Sequence, residues 1–230
     1  MKDSLKMLRD DVSPLTPHLE ERRISVQQSV NKGMVCLSTA YLAPVEYYIA
    51  LVNAEIIIIE QHEHYNKQSY RNRCSIATPN GVMDLCIPVE KKGKELIRDI
   101  RISGHTDWQT NHWRSIVTSY NSSPFFEYYK DDLQPFYERK WNFLWDFNFE
   151  IQAKILELLD VEPNIYLSEK FEMKIENSFD FRNIIHPKIE SNVLFKKYYQ
   201  VFDQKFGFLK NLSILDLLFN MGNESLLILH

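Results

Sequence analysis

The stretch from Met34 to Arg73 constrains the fold more than any other part of the chain. It begins with the apolar run Met34–Leu37, and after a short loop Pro44 stands where a helix can start without losing a hydrogen bond. Ile56–Ile59 is a β-branched run typical of a strand buried on both faces. Between them, apolar residues recur at helical spacing at Val45, Tyr48, Ile49 and Val52. The stretch therefore predicts a strand, a helix and a second strand of one sheet.

A dense group of polar side chains follows the second predicted strand. Its members carry charge or form hydrogen bonds, and they are Glu60, His62, His64, Lys67, Tyr70, Asn72 and Arg73. Folding of a sheet alone does not require this density of polar groups at the end of a strand. We therefore interpret the group as part of a site, although these residues do not specify a reaction.

The following segments extend the sheet. Arg73–Thr78 and Val82–Val89 alternate between apolar and polar residues, and Asn80-Gly81 between them predicts a tight hairpin turn. Leu96–Ile102 is predicted as a further strand. Alternation places three side chains of the first hairpin strand on the side away from the core, namely Arg71, Arg73 and Ser75. On that side, an arginine either meets solvent or lines a groove.

Helices dominate the second half of the chain. They are predicted from Thr106 with a capping box to Gln109, from Ser123-Pro124 with a break at Pro135, and over Trp141–Leu159, Lys196–Phe206 and Ser213–Asn220. Asn164–Leu167 is predicted as an edge strand, and Phe179–Pro187 as irregular. The predicted fold class is α/β, with a mixed sheet and a β-hairpin in the N-terminal half covered by helices from the C-terminal half. Residues 34–230 form a single domain in this interpretation, and residues 1–33 a loosely held extension.

Composition narrows the classes of function. A net charge of −4 argues against non-specific nucleic-acid binding. The sequence has neither a window of about 18 apolar residues nor the apolar core of a signal peptide, so no membrane insertion is expected. Its three cysteines, Cys36, Cys74 and Cys86, lack a C-x-x-C pattern and indicate reduced thiols. These features together predict a cytoplasmic protein.

Two groups of residues are candidates for binding an anionic substrate. The strand–loop–helix unit carrying Tyr41 and Pro44 suits a phosphate at a helix N-terminus, although it lacks a glycine-rich fingerprint. A plain packing unit is the alternative. The second group suits phosphate or carboxylate recognition, and it comprises Lys67, Tyr70, Asn72 and Arg73. A structural ion pair is an equally good interpretation of Arg73.

The histidines allow three interpretations. His62 and His64 have the spacing of a metal pair, with His105 or His112 as a third ligand, but no further motif supports a metal and none is predicted. His64 is alternatively an acid–base group, or both histidines form a polar strand edge. His105, Trp108 and His112 lie along one side of a predicted helix, where an imidazole beside an indole can act as a general base. A core histidine bonded to a backbone carbonyl is the alternative.

An ordered set of motifs runs through the whole domain. It comprises Tyr41-x-x-Pro44-x-x-Tyr47-Tyr48, Lys67 before Asn72-Arg73, Ile87-Pro88-Val89, Trp108-x-x-x-His112, Tyr120-x-x-Ser123-Pro124-Phe125-Phe126, Asn148 and Leu212–Asn220. In this set the chain resembles the WbqC-like protein family, over about residues 34–229. The sequence departs from the family pattern in two places: the first loop lacks a second proline or aromatic residue, and His62 replaces an acidic or polar residue.

The resemblance implies a bacterial cytoplasmic enzyme of surface-polysaccharide (O-antigen or capsule) biosynthesis. Such an enzyme would transfer an acyl or aminoacyl group to an amino sugar, with a nucleotide-activated or lipid-linked sugar as substrate. His112 or His64 would then move the proton, and the two groups above, with His105 and Trp108, would bind the substrate. A non-catalytic module that binds a glycan or a partner protein is the alternative. No particular cofactor is indicated, and a homo-oligomer is compatible with the sequence.

Overall fold

A computed structural model describes residues 33–90 and 93–230. At its centre lies a parallel four-stranded sheet with the strand order β7-β2-β1-β8. The strands are β1 (Met34–Ser38), β2 (Ile56–Glu60), β7 (Ile165–Leu167) and β8 (Ser178–Asp180). The predicted α/β class is confirmed, but two of the four strands come from the C-terminal half. Apart from residue 33, the predicted N-terminal extension falls outside the described residues.

The unit predicted from Met34 onwards forms as expected. Helix α1 (Val45–Asn53) connects β1 to β2, which pair in parallel with Met34 opposite Ile56. The residues of α1 from Val45 to Leu51 are all buried, so this helix lies inside the molecule rather than on its surface. Along β2, Ile57 and Ile59 are buried whereas Ile56 and Ile58 are half-buried. One face of β2 is therefore less covered than the isoleucine run predicted.

The predicted hairpin is confirmed, but the strand predicted after it is mostly wrong. Strands β3 (Arg73–Thr78) and β4 (Gly81–Cys86) pair antiparallel, with Thr78 opposite Gly81. A second two-stranded sheet joins β5 (Val89–Glu90) to β6 (Arg101–Ile102). Residues Ile97–Asp99 form a 3₁₀ turn instead of continuing a strand. This turn buries Ile97 and Ile100 together, because residues three apart share a face in a 3₁₀ helix but not in a strand.

The remaining helices cover the sheets. In chain order they are α2 (Trp108–Tyr120), α3 (Phe126–Leu133), α4 (Pro135–Glu138), α5 (Leu144–Leu158), α6 (Asp203–Phe206), α7 (Ile214–Met221) and α8 (Ser225–Leu229). The capping box predicted from Thr106 does not form, since the Gln109 amide donates to the carbonyl oxygens of Phe136 and Arg139. The helix predicted over Lys196–Phe206 shortens to α6. Its first half is not helical. There the Gln200 side chain donates to the Leu209 carbonyl and accepts from the Leu209 N–H.

The C-terminal segment fixes the loop between β1 and α1. Ser213 caps α7 as predicted by accepting from the Leu215 N–H, and its hydroxyl donates to the Leu42 carbonyl at 2.9 Å. The Ile214 N–H donates to the Ala43 carbonyl at 2.9 Å. Leu42 has a φ of 42°, a left-handed conformation that is unfavourable for leucine. The two bonds from the C-terminal segment hold it there.

Helix α7 ends at a glycine, Gly222, that the packing requires. Gly222 has a φ of 55°, and a Cβ added there would lie 2.7 Å from two ring carbons of Phe125. Gly207 also has a positive φ, 68°, but no atom lies within 4 Å of its added Cβ. The two glycines therefore share a backbone constraint and differ in steric contact.

We expect Gly222→Ala to destabilise the protein more than Gly207→Ala. Both substitutions incur about 1–3 kcal/mol for the backbone conformation, and Gly222→Ala adds a steric overlap of about 1–3 kcal/mol. Urea unfolding with unchanged m-values measures both losses. Equal losses would mean that the Phe125 ring moves aside without cost.

Candidate functional site

The candidate site is a cleft at the carboxyl ends of β1 and β8. The connection from β1 leads through α1 to β2 on one side of β1, whereas β8 pairs on the other side. In open parallel sheets, ligands bind at such a switch point, outside the carboxyl ends of the strands. The cleft is narrow, with a cavity volume of about 10 Å³, and it is lined by Leu37, Ser38, Thr39, Ala40, Tyr47, Tyr70, Arg71, Phe181, Arg182 and Ile185. We call it the switch-point cleft.

One buried arginine crosses the floor of the switch-point cleft. Arg71 is 3% exposed, and its Nε and Nη2 donate to the two carboxylate oxygens of Glu63 at 2.8 and 2.5 Å. Its Nη2 also donates to the Ser38 hydroxyl at the end of β1, at 2.7 Å. Its Nη1 forms no hydrogen bond with another described residue. Because Glu63 and Ser38 fix the guanidinium, this remaining nitrogen is a preorganised donor.

A second buried arginine ties the strand ends together. Arg182 follows β8 and donates to Glu60 at the end of β2 at 3.0 Å, and to Asp180. Glu60 is fully buried and also accepts from the Ser168 hydroxyl, which follows β7, at 2.7 Å. The ends of β2, β7 and β8 are thus linked by one ion-pair network, and Arg71 links the end of β1 beside it.

The charges at the cleft are nearly balanced. Two guanidinium groups, Arg71 and Arg182, face three carboxylates, those of Glu60, Glu63 and Asp180. The formal sum is −1, and burial raises the pKa of the adjacent Cys36 thiol to about 12, so the thiol adds no charge near neutral pH. The floor of the cleft therefore suits a hydroxyl, an amide or a carbonyl oxygen better than a dianionic phosphate.

Positive charge lies on the two loops that supply Tyr70, Arg71, Arg182 and Ile185 to the cleft. Lys188 Nζ donates to the Gln68 side chain at 2.5 Å, which brings the loop after β8 against the loop that carries Lys67. His186 lies two residues before Lys188 on the loop after β8. Burial, Arg71 and Lys188 all lower its pKa, so its imidazole is neutral near pH 7. Its Nδ1 accepts from the Lys188 backbone N–H at 3.2 Å, which places the imidazole hydrogen on Nε2.

Of the residues predicted from the sequence, Tyr70 lines the cleft, and Lys67 is exposed three residues before it. Tyr70 also joins this site to the first loop, because its carbonyl accepts from the Tyr41 N–H at 2.8 Å. Burial raises the pKa of the half-buried Tyr70 hydroxyl to about 12, so it stays a neutral donor and acceptor. Their predicted role in substrate binding stays a prediction.

Tyr41, Trp108 and His112 lie together in the core, behind the cleft. The Tyr41 hydroxyl lies 3.0 Å from His112 Nδ1 and 3.0 Å from the Tyr137 hydroxyl, and the Trp108 ring packs edge-on to the imidazole at 5.2 Å. Burial lowers the pKa of His112 to about 4, opposed by a hydrogen bond to the Cys86 backbone. This geometry is that of a neutral core histidine, and a catalytic role for His112 stays a prediction.

The other predicted site residues lie apart from the cleft floor. The helix start after Pro44 is occupied, since the Val45 N–H donates to the Leu212 carbonyl and the Glu46 N–H to the Asn211 side chain. Asn72 cross-links the hairpin by donating to the Ile87 carbonyl at 2.8 Å. Arg73 pairs with Asp84 at 3.1 Å on the outward face of the hairpin, as the ion-pair alternative predicted. The structure places two more predicted residues, His64 and His105, on the surface.

The sequence did not reveal Arg71 and Arg182. Alternation assigned Arg71 to the outward face with Arg73, but β3 begins at Arg73, so the rule does not extend to Arg71. Arg182 lay in a stretch predicted as irregular, whereas β8 ends two residues before it. The metal interpretation of His62 and His64 finds no counterpart in residues 33–90 and 93–230, where no group of three or more His, Cys, Asp or Glu side chains could hold an ion.

Sheet and cleft together define an α/β protein with a candidate ligand site at the switch point of a parallel sheet. The model of the WbqC-like protein family matches residues 39–188, which include the cleft-lining residues from Thr39 to Ile185, and the chain belongs to this family. It is also 26% identical over 222 residues to the uncharacterized protein Rv1507c of Mycobacterium tuberculosis, with 84% of this chain and 96% of that protein covered. No solved structure matches the chain. Within the described residues, no helix has the length and apolarity to cross a membrane.

We expect Arg71→Ala to destabilise the protein far more than Arg73→Ala. Removal of Arg71 leaves the Glu63 carboxylate buried without its partner, which costs about 3–5 kcal/mol. Removal of Arg73 breaks a partly exposed pair worth at most about 1 kcal/mol. Urea unfolding at pH 7 measures both variants. Similar losses would contradict the structural role of the Arg71–Glu63 pair.

The buried imidazole of His112 predicts acid sensitivity. Below pH 6.5 the unfolded chain binds a proton on this side chain that the folded protein does not bind until about pH 4. Folding stability that is present above pH 6.5 is therefore lost as the pH falls. Between pH 7 and pH 5, wild type should lose about 2 kcal/mol more unfolding free energy than His112→Gln. Urea unfolding measures both proteins at each pH. An equal loss of unfolding free energy in wild type and His112→Gln would contradict this assignment.

Proposed function

We propose that the protein is an enzyme of surface-polysaccharide biosynthesis that transfers an acyl or aminoacyl group to an activated amino sugar. The observation that carries this proposal is the switch-point cleft, in which the fixed guanidinium of Arg71 has one nitrogen left to donate. Membership of the WbqC-like family supports the pathway, as the motif resemblance implies. The cleft supports the type of ligand.

The cleft floor fits the oxygen of the group being transferred. When the amine of the sugar attacks the carbonyl of an acyl thioester, negative charge develops on the carbonyl oxygen, and fixed donors stabilise it until the C–S bond breaks, the thiolate leaves and the amine loses its proton. Arg71 Nη1 is such a donor in this proposal, and the hydroxyl groups of Thr39 and Tyr70, which line the cleft, would bond the sugar. The near-neutral floor agrees with an uncharged reacting group rather than a phosphate.

The mouth of the cleft fits the phosphates of the activated sugar. Lys67 and Lys188 lie on the two loops that meet there, and the Nε2–H of His186 adds a neutral donor. A diphosphate at this position would be held by lysine point charges, while the sugar extends toward Arg71. His64 and His112 remain candidate proton acceptors, and neither is among the residues that line the cleft.

Thermal denaturation with a ligand panel tests the proposal. The panel contains UDP-, GDP-, CMP- and dTDP-linked sugars, acyl-CoA thioesters and amino acids. A ligand that binds only the folded protein stabilises it by about 2.7 kcal/mol at a hundred times its dissociation constant. For a chain of this size that corresponds to a rise in melting temperature of about 5–10 °C. We expect such a shift with at least one sugar nucleotide.

Matched variants locate the binding. Tyr70→Phe removes a hydroxyl from the cleft and should weaken binding about two- to tenfold, whereas Tyr128→Phe removes an exposed hydroxyl on α3 and should leave binding unchanged. Arg71→Lys keeps the charge but loses the forked geometry, and it should weaken binding. Arg73→Lys, on the outward face of the hairpin, is the matched control. Absence of any shift with the panel, or a shift insensitive to Tyr70→Phe and Arg71→Lys, rules out this function at the cleft.

A further inference from the structure

A second depression lies on another part of the surface, beyond the switch-point cleft. It is bounded by β5, β6, the start of α2 and the loop before α5, and its volume is about 630 Å³. Its polar lining includes Glu90, Arg101, His105, Asp107, Lys140 and Asn142. Lys140, Trp141 and Asn142 also line an adjoining depression of about 310 Å³ that contains Trp145 and Phe149. We call the two together the Trp141 groove.

The aromatic floor of the Trp141 groove is rigidly held. The Trp141 indole N–H donates to the Phe136 carbonyl at 2.9 Å, the Arg139 guanidinium lies 3.8 Å from the ring centroid, and the Phe136 ring stacks parallel to it at 6.0 Å. Trp141 therefore anchors the floor, and Trp145 and Phe149 supply the aromatic surface that is open to a ligand. The Phe147 ring meets Trp141 edge-on at 5.1 Å. Next to it, the rings of Trp145 and Phe149 are nearly parallel, and Phe149 is 44% exposed. An apolar surface that is fixed before binding loses little entropy when a ligand covers it.

The polar rim of the larger depression has a formal charge of zero, and several of its side chains form no hydrogen bond with another described residue. Its charged members are two acidic and two basic side chains, Glu90, Asp107, Arg101 and Lys140. The side chains of His105, Asp107 and Asn142 form no hydrogen bond or ion pair with another described residue, and all three are exposed. The rim thus offers both donors and acceptors without a net charge that would select an anion.

We infer that the Trp141 groove binds a neutral oligosaccharide. Pyranose rings have apolar faces that pack on aromatic side chains, and their hydroxyl groups both donate and accept hydrogen bonds. The combination of fixed aromatic rings with free polar groups of both kinds matches this chemistry. The larger depression has a volume of about 630 Å³, which lies within the range of pockets for drug-sized ligands and leaves room for a short oligosaccharide. This binding is independent of the switch-point cleft and uses none of its residues.

Saturation-transfer difference NMR on the full chain tests the inference. The probes are N,N′-diacetylchitobiose and maltotetraose, with UDP as an anionic comparison. We expect one of the neutral probes to bind with a dissociation constant of about 0.1–1 mM. His105→Ala and Asn142→Ala should each weaken it about fivefold or more. Both substitutions remove exposed side chains, so their melting temperatures should match wild type.

Two matched controls separate the groove from the rest of the surface. Asn192→Ala removes an exposed amide outside the groove, and Tyr166→Ala removes an exposed aromatic ring on β7 as the partner control for Phe149→Ala. Neither control should change binding, whereas Phe149→Ala should weaken it. Failure of both neutral probes to bind, or binding that the groove variants leave unchanged, overturns the inference. A sugar-nucleotide shift that depends on Tyr70 would survive that outcome, so the two sites fail separately.

Discussion

The ion pair between Arg71 and Glu63 is the interaction on which the arrangement of the site depends. Both side chains are buried, so the cost of removing their charges from water is recovered only through the two-point contact and the bond to Ser38. That contact fixes the polar connection between β2 and β3 against the end of β1. The Asn148 side chain adds a third constraint by donating to the Arg71 carbonyl at 2.7 Å. A buried pair of this kind contributes position more than stability, and position is what a binding site requires.

The loop between β1 and α1 is held by the C-terminal segment of the chain. Leu42 adopts its unfavourable backbone conformation because Ser213 and Ile214 bond the loop from the C-terminal segment. Within that segment, the Asp216 carboxylate accepts hydrogen bonds from the Tyr198 hydroxyl and the Gln200 amide at 2.7 Å each. Burial raises the pKa of Asp216 to about 6. Strain kept next to a cleft by contacts more than 150 residues away in sequence indicates that the loop conformation itself is needed.

Local patterns in the sequence predicted the elements well, because those patterns act within a few residues. The β1–α1–β2 unit, the hairpin, the long helix α5 and the cap at Ser213 follow from periodicity and turn chemistry alone. Strand β8 was missed because three residues cannot show a period, and its pairing with β1 is a tertiary event. For the same reason, the sequence favoured Arg73 over Arg71. Side-chain direction within a strand can be predicted from the sequence. The direction of Arg71, two residues before β3, depends instead on its tertiary contacts.

In the two proposals above, the switch-point cleft and the Trp141 groove bind different chemical groups. The switch-point cleft is narrow and is walled by ion pairs, and lysines lie on the loops beside it, which suits a small reacting group attached to a charged carrier. The Trp141 groove is wide and aromatic, and its charged side chains nearly balance, which suits a longer uncharged chain. Between them lies the buried row of Tyr41, His112 and Trp108, with Trp108 itself lining the groove. A ligand that shifts Trp108 would move His112 and Tyr41, and Tyr41 is bonded through its backbone to Tyr70 in the cleft. The aromatic motif of the sequence therefore forms a packed connection from Trp108 through His112 and Tyr41 to the backbone of Tyr70, and this structural role requires no proton transfer.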